Sequence, residues 1–307
     1  MEFKTFDVAL KAVGIIVLVA VVLFILTWSG IVKCGSIPYW CDVYDSVIGP
    51  PRVLIVYGAE GLGDPEALKL VMQDPVTVGA KAVDLSDIDR VSLGNLRGYK
   101  LVIVEHAKQM NAEQLEMFMD YVNKYGGRLI WVGDAGTVRP EEEEDVLLDI
   151  NAPVSSNNPW SRYKETETEY IPVLFDEFLG LRFVGNYCDL KKCQDITSPG
   201  NLVPESTGDH PLIYGSTPVL KFKVETGRDF SVVKQIPNAA NSTIVMNVDF
   251  GSVLNTDTEK IGRNTPVIAT SGLGERVAYY AYPPEYFVQD NNYYLFTKLM
   301  YYGMLGR

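Results

Sequence analysis

Tyr99–Gly136 reads YKLVIVEHAKQMNAEQLEMFMDYVNKYGGRLIWVGDAG, and its internal rhythm decides the fold class. Lys100–Glu105 (KLVIVE) is a continuous apolar run rich in β-branched residues, as expected of a strand buried on both faces. Asn111–Tyr125 is amphipathic, with Asn111 as cap and Leu115, Phe118, Met119 and Val122 on one face. Gly126-Gly127 stops that helix, and Arg128–Val132 (RLIWV) returns as a strand. Upstream, Arg52–Gly58 (RVLIVYG) has the same buried-strand character, and Asp64–Gln73 follows at helical spacing with Asp64 as cap and Pro65 in the first turn. Strand and helix in alternation imply an α/β, doubly wound, mostly parallel sheet with right-handed crossovers, in which RLIWV is the third strand.

Downstream the rhythm is lost at about 137–215, a stretch read as an inserted segment or cap. It holds the acid run Glu141–Asp145, for which calcium binding competes with a solvated loop. Val219–Val224 and Thr243–Phe250 read as strands, and Thr265–Tyr282 as a hairpin turning at Gly272 and Gly274. Asn291–Met304 reads as a closing helix whose Tyr293, Tyr294, Tyr301 and Tyr302 suit core packing.

The N-terminal side is of another kind. Ala12–Val32 carries no charged side chain and is bounded by Lys11 and Lys33. As a helix of ~1.5 Å per residue it spans roughly the ~30 Å hydrocarbon layer. Trp28 suits the interface. A signal peptide competes, but the run exceeds the usual ~7–15 residue apolar region and no clean cleavage site follows. The expected organisation is a cytoplasmic N-terminus at 1–11, a transmembrane helix at 12–32 contacting the lipid bilayer, a neck at 33–51 and an ectodomain at 52–307. Lys4 and Lys11 before the helix favour the N-terminus inside.

Cys34 with Cys41, and Cys188 with Cys193, form two close pairs. Two local disulfides in an oxidising compartment are the expected reading; a zinc site is the rival, weakened by the wide spacing and the lack of a nearby histidine. Asn241-Ser242-Thr243 is a glycosylation sequon, consistent with an extracytoplasmic domain. The net charge of −12 argues against nucleic acid as a partner. No cofactor and no metal ligand set is read from the chain.

Tyr99–Gly136, with Gly208–Ile213 (GDHPLI) and Gly272–Pro283 (GLGERVAYYAYP), resembles the class I glutamine amidotransferase-like fold in its membrane-associated and trehalose-utilisation-like branches. The resemblance covers most of 52–304, loosely in the middle, and implies a flavodoxin-like sheet. In the enzymes of this fold a nucleophilic cysteine sits at the elbow after the RLIWV-type strand, served by a histidine and an acid. Here the elbow is Val132-Gly133-Asp134-Ala135-Gly136, no cysteine lies between 42 and 187, and His210 has no acid two residues on. A carboxylate cannot do a thiolate's acyl-transfer work. The resemblance therefore implies a non-catalytic branch: a binding or scaffold subunit of a membrane or envelope protein complex, partnered by other membrane or envelope proteins.

The alternative is an extracytoplasmic hydrolase or carbohydrate-binding protein using a strand-end crevice at Glu105, His106 and Asp134, with Trp131, Trp160 and tyrosines stacking on sugars. Against it, an Asp beside Gly in a tight turn commonly bonds its own backbone. A sensor signalling through the helix ranks last, since eleven residues before the span leave little for an output domain. Gly58–Pro65 (GAEGLGDP) matches neither dinucleotide nor P-loop patterns and reads as a glycine-rich βα turn.

Overall fold

The computed structural model describes residues 2–306 apart from 30, 33, 35–36, 142, 144–157, 167–168, 194–195, 206–208, 216–219, 222, 226, 238, 240–241, 256–259 and 290–292. Asn241 and most of the 141–145 acid run thus lie outside the described residues. The chain divides into two units, one of Met1–Pro50 with Leu305–Arg307, the other Pro51–Met304.

In the larger unit, β1 (Arg52–Tyr57), β2 (Ala82–Asp87), β3 (Leu101–Val104), β4 (Arg128–Val132) and β13 (Val277–Tyr280) lie parallel in the order β2-β1-β3-β4-β13. The sheet continues antiparallel through β12 (Lys260–Ser271), β11 (Thr243–Asn255), β8 (Asn201–Pro204) and β9 (Leu220–Lys221), nine strands among the described residues. Val53–Val56, Leu101–Val104 and Leu129–Val132 are buried throughout, which is why these runs carry no alternating polar positions. The doubly wound α/β expectation holds for the parallel half; the whole sheet is mixed.

The helix α3 (Pro65–Gln73) follows β1, and the short helix α4 (Leu93–Leu96) precedes β3. After β3 comes α5 (Ala112–Asn123). Asp64 caps α3 by accepting the Ala67 N–H, with Pro65 in the first turn. Asn111 and Gln114 form a reciprocal capping box on α5. From β1 the chain steps outward to β2; from β3 it steps the other way to β4. The order reverses between β1 and β3, and right-handed crossovers place α3 and α5 on opposite faces.

Several boundaries differ from the sequence reading. RLIWV is the fourth strand in chain order, because Ala82–Asp87 (AVDLSD) also joins the sheet, at its edge, with Asp84 and Ser86 part-exposed. The strand expected at Val219–Val224 is reduced to Leu220–Lys221, with Val224 in a separate bridge to Thr197. The middle stretch holds a hairpin, β5 (Ser161–Glu165) with β6 (Tyr170–Leu174), then α6 (Phe175–Leu179), β7 (Leu181–Asn186) and α7 (Tyr187–Lys191). Later in the chain, β8 belongs to the main sheet, and β7 pairs with β10 (Ser231–Gln235). The chain closes with α8 (Pro284–Gln289) and α9 (Tyr294–Leu305). On α9 Tyr301 is buried, whereas Tyr294 is 46% exposed and corrects the expectation of a wholly buried tyrosine face. Trp131 and Trp160 are also fully buried, so neither can stack on a sugar from solvent.

In the smaller unit α1 runs Glu2–Trp28 and ends four residues before the expected Val32. Its segment Lys11–Trp28 is apolar enough to cross a membrane and none of it is buried. Past it, the Cys34–Cys41 disulfide closes a loop onto α2 (Trp40–Ile48), a helix the sequence reading assigned only to a neck.

Candidate functional site

The carboxyl ends of β1, β3 and β4 carry the loops in which the sequence reading placed its candidates. The β1–α3 loop is laced onto the segment after β3: Gly58 N–H donates to His106 O, His106 N–H to Leu62 O, and Lys108 N–H to Glu60 O, at 2.7–2.9 Å. Close approach explains the glycines. A Cβ on Gly61 (φ +131°) would lie 3.1 Å from the main chain of His106 and Ala107; one on Gly63 (φ +104°) would lie 3.1 Å from Glu105 Oε2. His106 itself adopts φ +50°.

Asp134 sits in the elbow after β4 and is 1% exposed. Its Oδ1 accepts the Leu62 N–H at 2.7 Å, and its Oδ2 accepts Asn186 Nδ2–H at 3.0 Å with Lys108 Nζ at 3.5 Å. Asn186 in turn accepts the Ser231 hydroxyl at 3.0 Å, so the end of β7 and the start of β10 orient the amide. The rest of the elbow is equally engaged. Gly133 O accepts the Tyr279 hydroxyl, Ala135 O accepts both indole N–H groups of Trp131 and Trp160, and Gly136 O accepts Arg162. The Gly133, Ala135 and Gly136 N–H groups donate to Tyr280 O, Val132 O and Ala107 O. An acyl-transfer site needs a nucleophile and N–H donors aimed at an empty oxyanion position. Here these three N–H groups and the Asp134 carboxylate are already spent.

Glu105 faces elsewhere. It is fully buried beside the fully buried Glu285, whose Oε1 accepts the Asp64 N–H at 2.7 Å. Burial is the first cause that raises both carboxyls: Glu105 goes well above the ordinary carboxylate range, with Glu285 and Asp64 adding to the rise, and Glu285 to about 8, with Asp64 adding. His106 Nδ1 is buried without a hydrogen-bond partner among the described residues. The expected trio therefore divides: Asp134 lines a cavity that Glu105 and His106 do not.

That cavity, about 250 Å³, lies over the elbow and is lined among others by Asp134, Asn186, Lys108, Glu60, Asp189 and Asp229. Asp229 is 5% exposed; its Oδ2 accepts the Cys188 N–H at 2.7 Å, while Oδ1 has no partner among the described residues. Burial first, with Asp189 and Asp134 nearby, pushes its carboxyl up to about 7. Sequence reading missed Lys108, Asn186, Asp229 and Glu285; only their neighbours signalled them, Lys108 by following the β3 end and Asn186 by preceding Cys188. Cys188 and Cys193, like Cys34 and Cys41, lie at disulfide-bonding geometry.

His210 is remote from all this. Its Nε2 lies 3.2 Å from Glu275 Oε2, and Glu275 precedes β13, whereas Asp134 follows β4. Those two strands are parallel and in register, Val277 with Leu129 to Tyr280 with Val132, so the pair lies at the opposite end of the sheet. Of the acid run, Glu143 accepts the Ala112 N–H at the start of α5. Among the described residues no group of three His, Cys, Asp or Glu is placed to hold a metal ion.

No protein-family model and no curated protein matches the chain. Solved structures do. A ThuA-like protein from Bacteroides uniformis superposes with TM-score 0.52 at 13% identity, over 83% of this chain and 91% of that one. A ThuA-like protein from Parabacteroides merdae gives 0.42 at 13%, over 76% and 79%. The glutaminase domain of Trypanosoma brucei CTPS, with bound acivicin, gives 0.44 at 9%, over 83% and 95%. The fold is the class I glutamine amidotransferase-like fold.

Proposed function

We propose that this amidotransferase-like chain is a membrane-anchored, non-catalytic binding domain, a subunit of a membrane or envelope protein complex. The observation that carries the reading is the occupied elbow. Asp134 stands in the turn where enzymes of the fold keep a thiol, and it holds three other segments together through Leu62, Asn186 and Lys108. Such a turn stabilises a surface and has no free group with which to attack a substrate. The exposed apolar helix α1 and the two disulfides support α1 as a retained anchor, its N-terminus cytoplasmic and the folded domain extracytoplasmic.

The test is gentle detergent extraction from native membranes, followed by native mass measurement and identification of co-migrating chains. A stoichiometric partner set is expected. A lone monomer that co-purifies with nothing would sink the complex-subunit reading.

A second reading has one observation in its favour. Asp229 and Asp134 face one cavity, and the Asp229 carboxyl, pushed up to about 7, has an oxygen left without a partner. Two buried acids facing one cavity, one of them with a raised pKa, suit a hydrolase or a carbohydrate-binding site. Glycan binding and aryl-glycoside hydrolysis would be compared for the wild type and Asp229→Asn. No signal in the wild type, or one unchanged in the variant, removes this reading.

A further inference from the structure

We propose that α2 is a second membrane contact: an amphipathic helix seated in the interfacial layer of the bilayer that α1 crosses. The proposal rests on reading α1 as the membrane anchor. Two contacts fix where α2 lies along α1. Trp40 Nε1–H donates to Thr27 Oγ1 at 2.9 Å, and the rings of Phe24 and Tyr44 meet at 5.1 Å between centroids. Moving forward along α2 from residue 40 to 44 moves backward along α1 from 27 to 24, so α2 folds back beside the last turn of the apolar segment. The Cys34–Cys41 disulfide fastens the start of this hairpin.

That position sets the depth. Phe24 is four residues inside Trp28, the end of the apolar segment, or about 6 Å at ~1.5 Å per residue. An interfacial helix buries its apolar face by roughly 5–10 Å at the headgroup boundary. Trp40, held at Thr27, and Tyr44, held at Phe24, lie within that depth.

The sequence of α2 fits the place. At ~100° per residue, Tyr39, Val43, Val47, Trp40, Tyr44 and Ile48 fall on one side, and Asp42, Asp45 and Ser46 on the other. Trp40 and Tyr44 turn to α1 and use only part of that apolar arc. The flanking stripe of Tyr39, Val43 and Val47 is 85%, 50% and 67% exposed, beside a helix whose own side chains are exposed as lipid contact requires. Lipid at the same depth covers both. Since α2 carries two acids and no base, its attachment depends on apolar burial and needs no anionic lipid.

The experiment is nitroxide labelling of full-length Val47→Cys, Asp42→Cys and Val17→Cys variants, with native disulfides intact, in phosphatidylcholine vesicles. Collisions with oxygen report lipid exposure, and collisions with a water-soluble nickel chelate report water exposure. At position 47 the oxygen-to-nickel ratio is expected to be several-fold higher than at position 42 and to approach that at 17. Equal ratios at 47 and 42, with 17 in hydrocarbon, overturn the proposal while leaving the anchor. Exclusion of both reagents at 47 also overturns it, in favour of a protein covering the stripe. If 17 is reached by the nickel chelate, the anchor reading fails instead.

Discussion

Replacing Glu105 by glutamine should stabilise this protein, and should do so more as the pH rises. Glu105 and Glu285 are fully buried against one another, and Glu285 is held as an acceptor by the Asp64 N–H. The folded pair keeps at least one proton at neutral pH, on Glu105, because desolvation and the neighbouring acid raise it well above the ordinary value of 4.5. The unfolded chain has released that proton. Stability from this pair is therefore full below pH 4.5 and falls as the pH rises toward and through about 8, where Glu285 titrates in the fold. Holding one proton at pH 7 against an unfolded value of 4.5 costs about 3 kcal/mol, at 1.36 kcal/mol per unit.

An amide at position 105 is neutral without needing a proton. The Glu105→Gln chain should match the wild type near pH 4.5 and exceed it by up to about 3 kcal/mol at pH 7. The assay is urea unfolding of the full chain in mild detergent at several pH values, followed by the fluorescence of the buried Trp131 and Trp160. A stability difference that stays constant between pH 5 and 8 refutes the reasoning, since a pair that shares no proton has no pH term to lose.

Asp134→Ala leaves the Leu62 N–H and the Asn186 amide without their acceptor; a loss of about 2–4 kcal/mol is expected in the same unfolding assay, with Asp134→Asn milder. Gly61→Ala puts a side chain at φ +131° and 3.1 Å from the main chain of His106 and Ala107, so the β1–α3 loop should lift, read as faster amide hydrogen exchange at Leu62 and His106. Removing the Cys188–Cys193 bridge by paired Ser substitution should cost roughly 2 kcal/mol or less, as its loop is only five residues in separation, and should loosen the cavity wall at the Asp229 partner Cys188. Unfolding midpoints of the bridged and unbridged chains check this.

What was legible in the sequence follows from how each element meets its surroundings. Strands β1, β3 and β4 lie between layers and must be apolar at every position, so RVLIVY, LVIV and RLIWV stand out without context. The β2 strand lies at the sheet edge, and its Asp84 pairs with Arg52 on the adjacent β1, so AVDLSD carries polar positions and does not stand out as a buried strand. Helix caps are local, hence Asp64 and Asn111 could be placed in advance. The candidate site was only half legible, because a turn identifies Asp134 but not what reaches it. Asn186 and Asp229 arrive from segments about 50 and 100 residues away, through the β7–β10 pairing that no local pattern announces. Glu105 misled for a related reason: a strand end points at the crevice in general, yet Glu285 from the far end of the chain meets it first.

On the proposed non-catalytic reading, the elbow keeps the fold's sharp turn but fills it. A sharp turn at the end of a buried strand concentrates polar main-chain groups where water is scarce, and each one left unpaired costs about 1–3 kcal/mol. A catalytic site accepts part of that cost, because its free N–H groups are matched only when charge develops in the transition state. Here much of the cost is removed by filling: two indoles, a tyrosine hydroxyl and Arg162 take carbonyls, neighbouring carbonyls take the Gly133, Ala135 and Gly136 N–H groups, and the Asp134 carboxylate takes the Leu62 N–H. A residue that holds the surrounding loops this way cannot be replaced by a thiol without undoing them. A single Asp134→Cys change should therefore not restore glutaminase activity, because Leu62, Asn186 and Lys108 would lose their acceptor before any substrate arrived. Measurable ammonia release from glutamine by that variant would refute the proposal that the occupied elbow excludes acyl transfer.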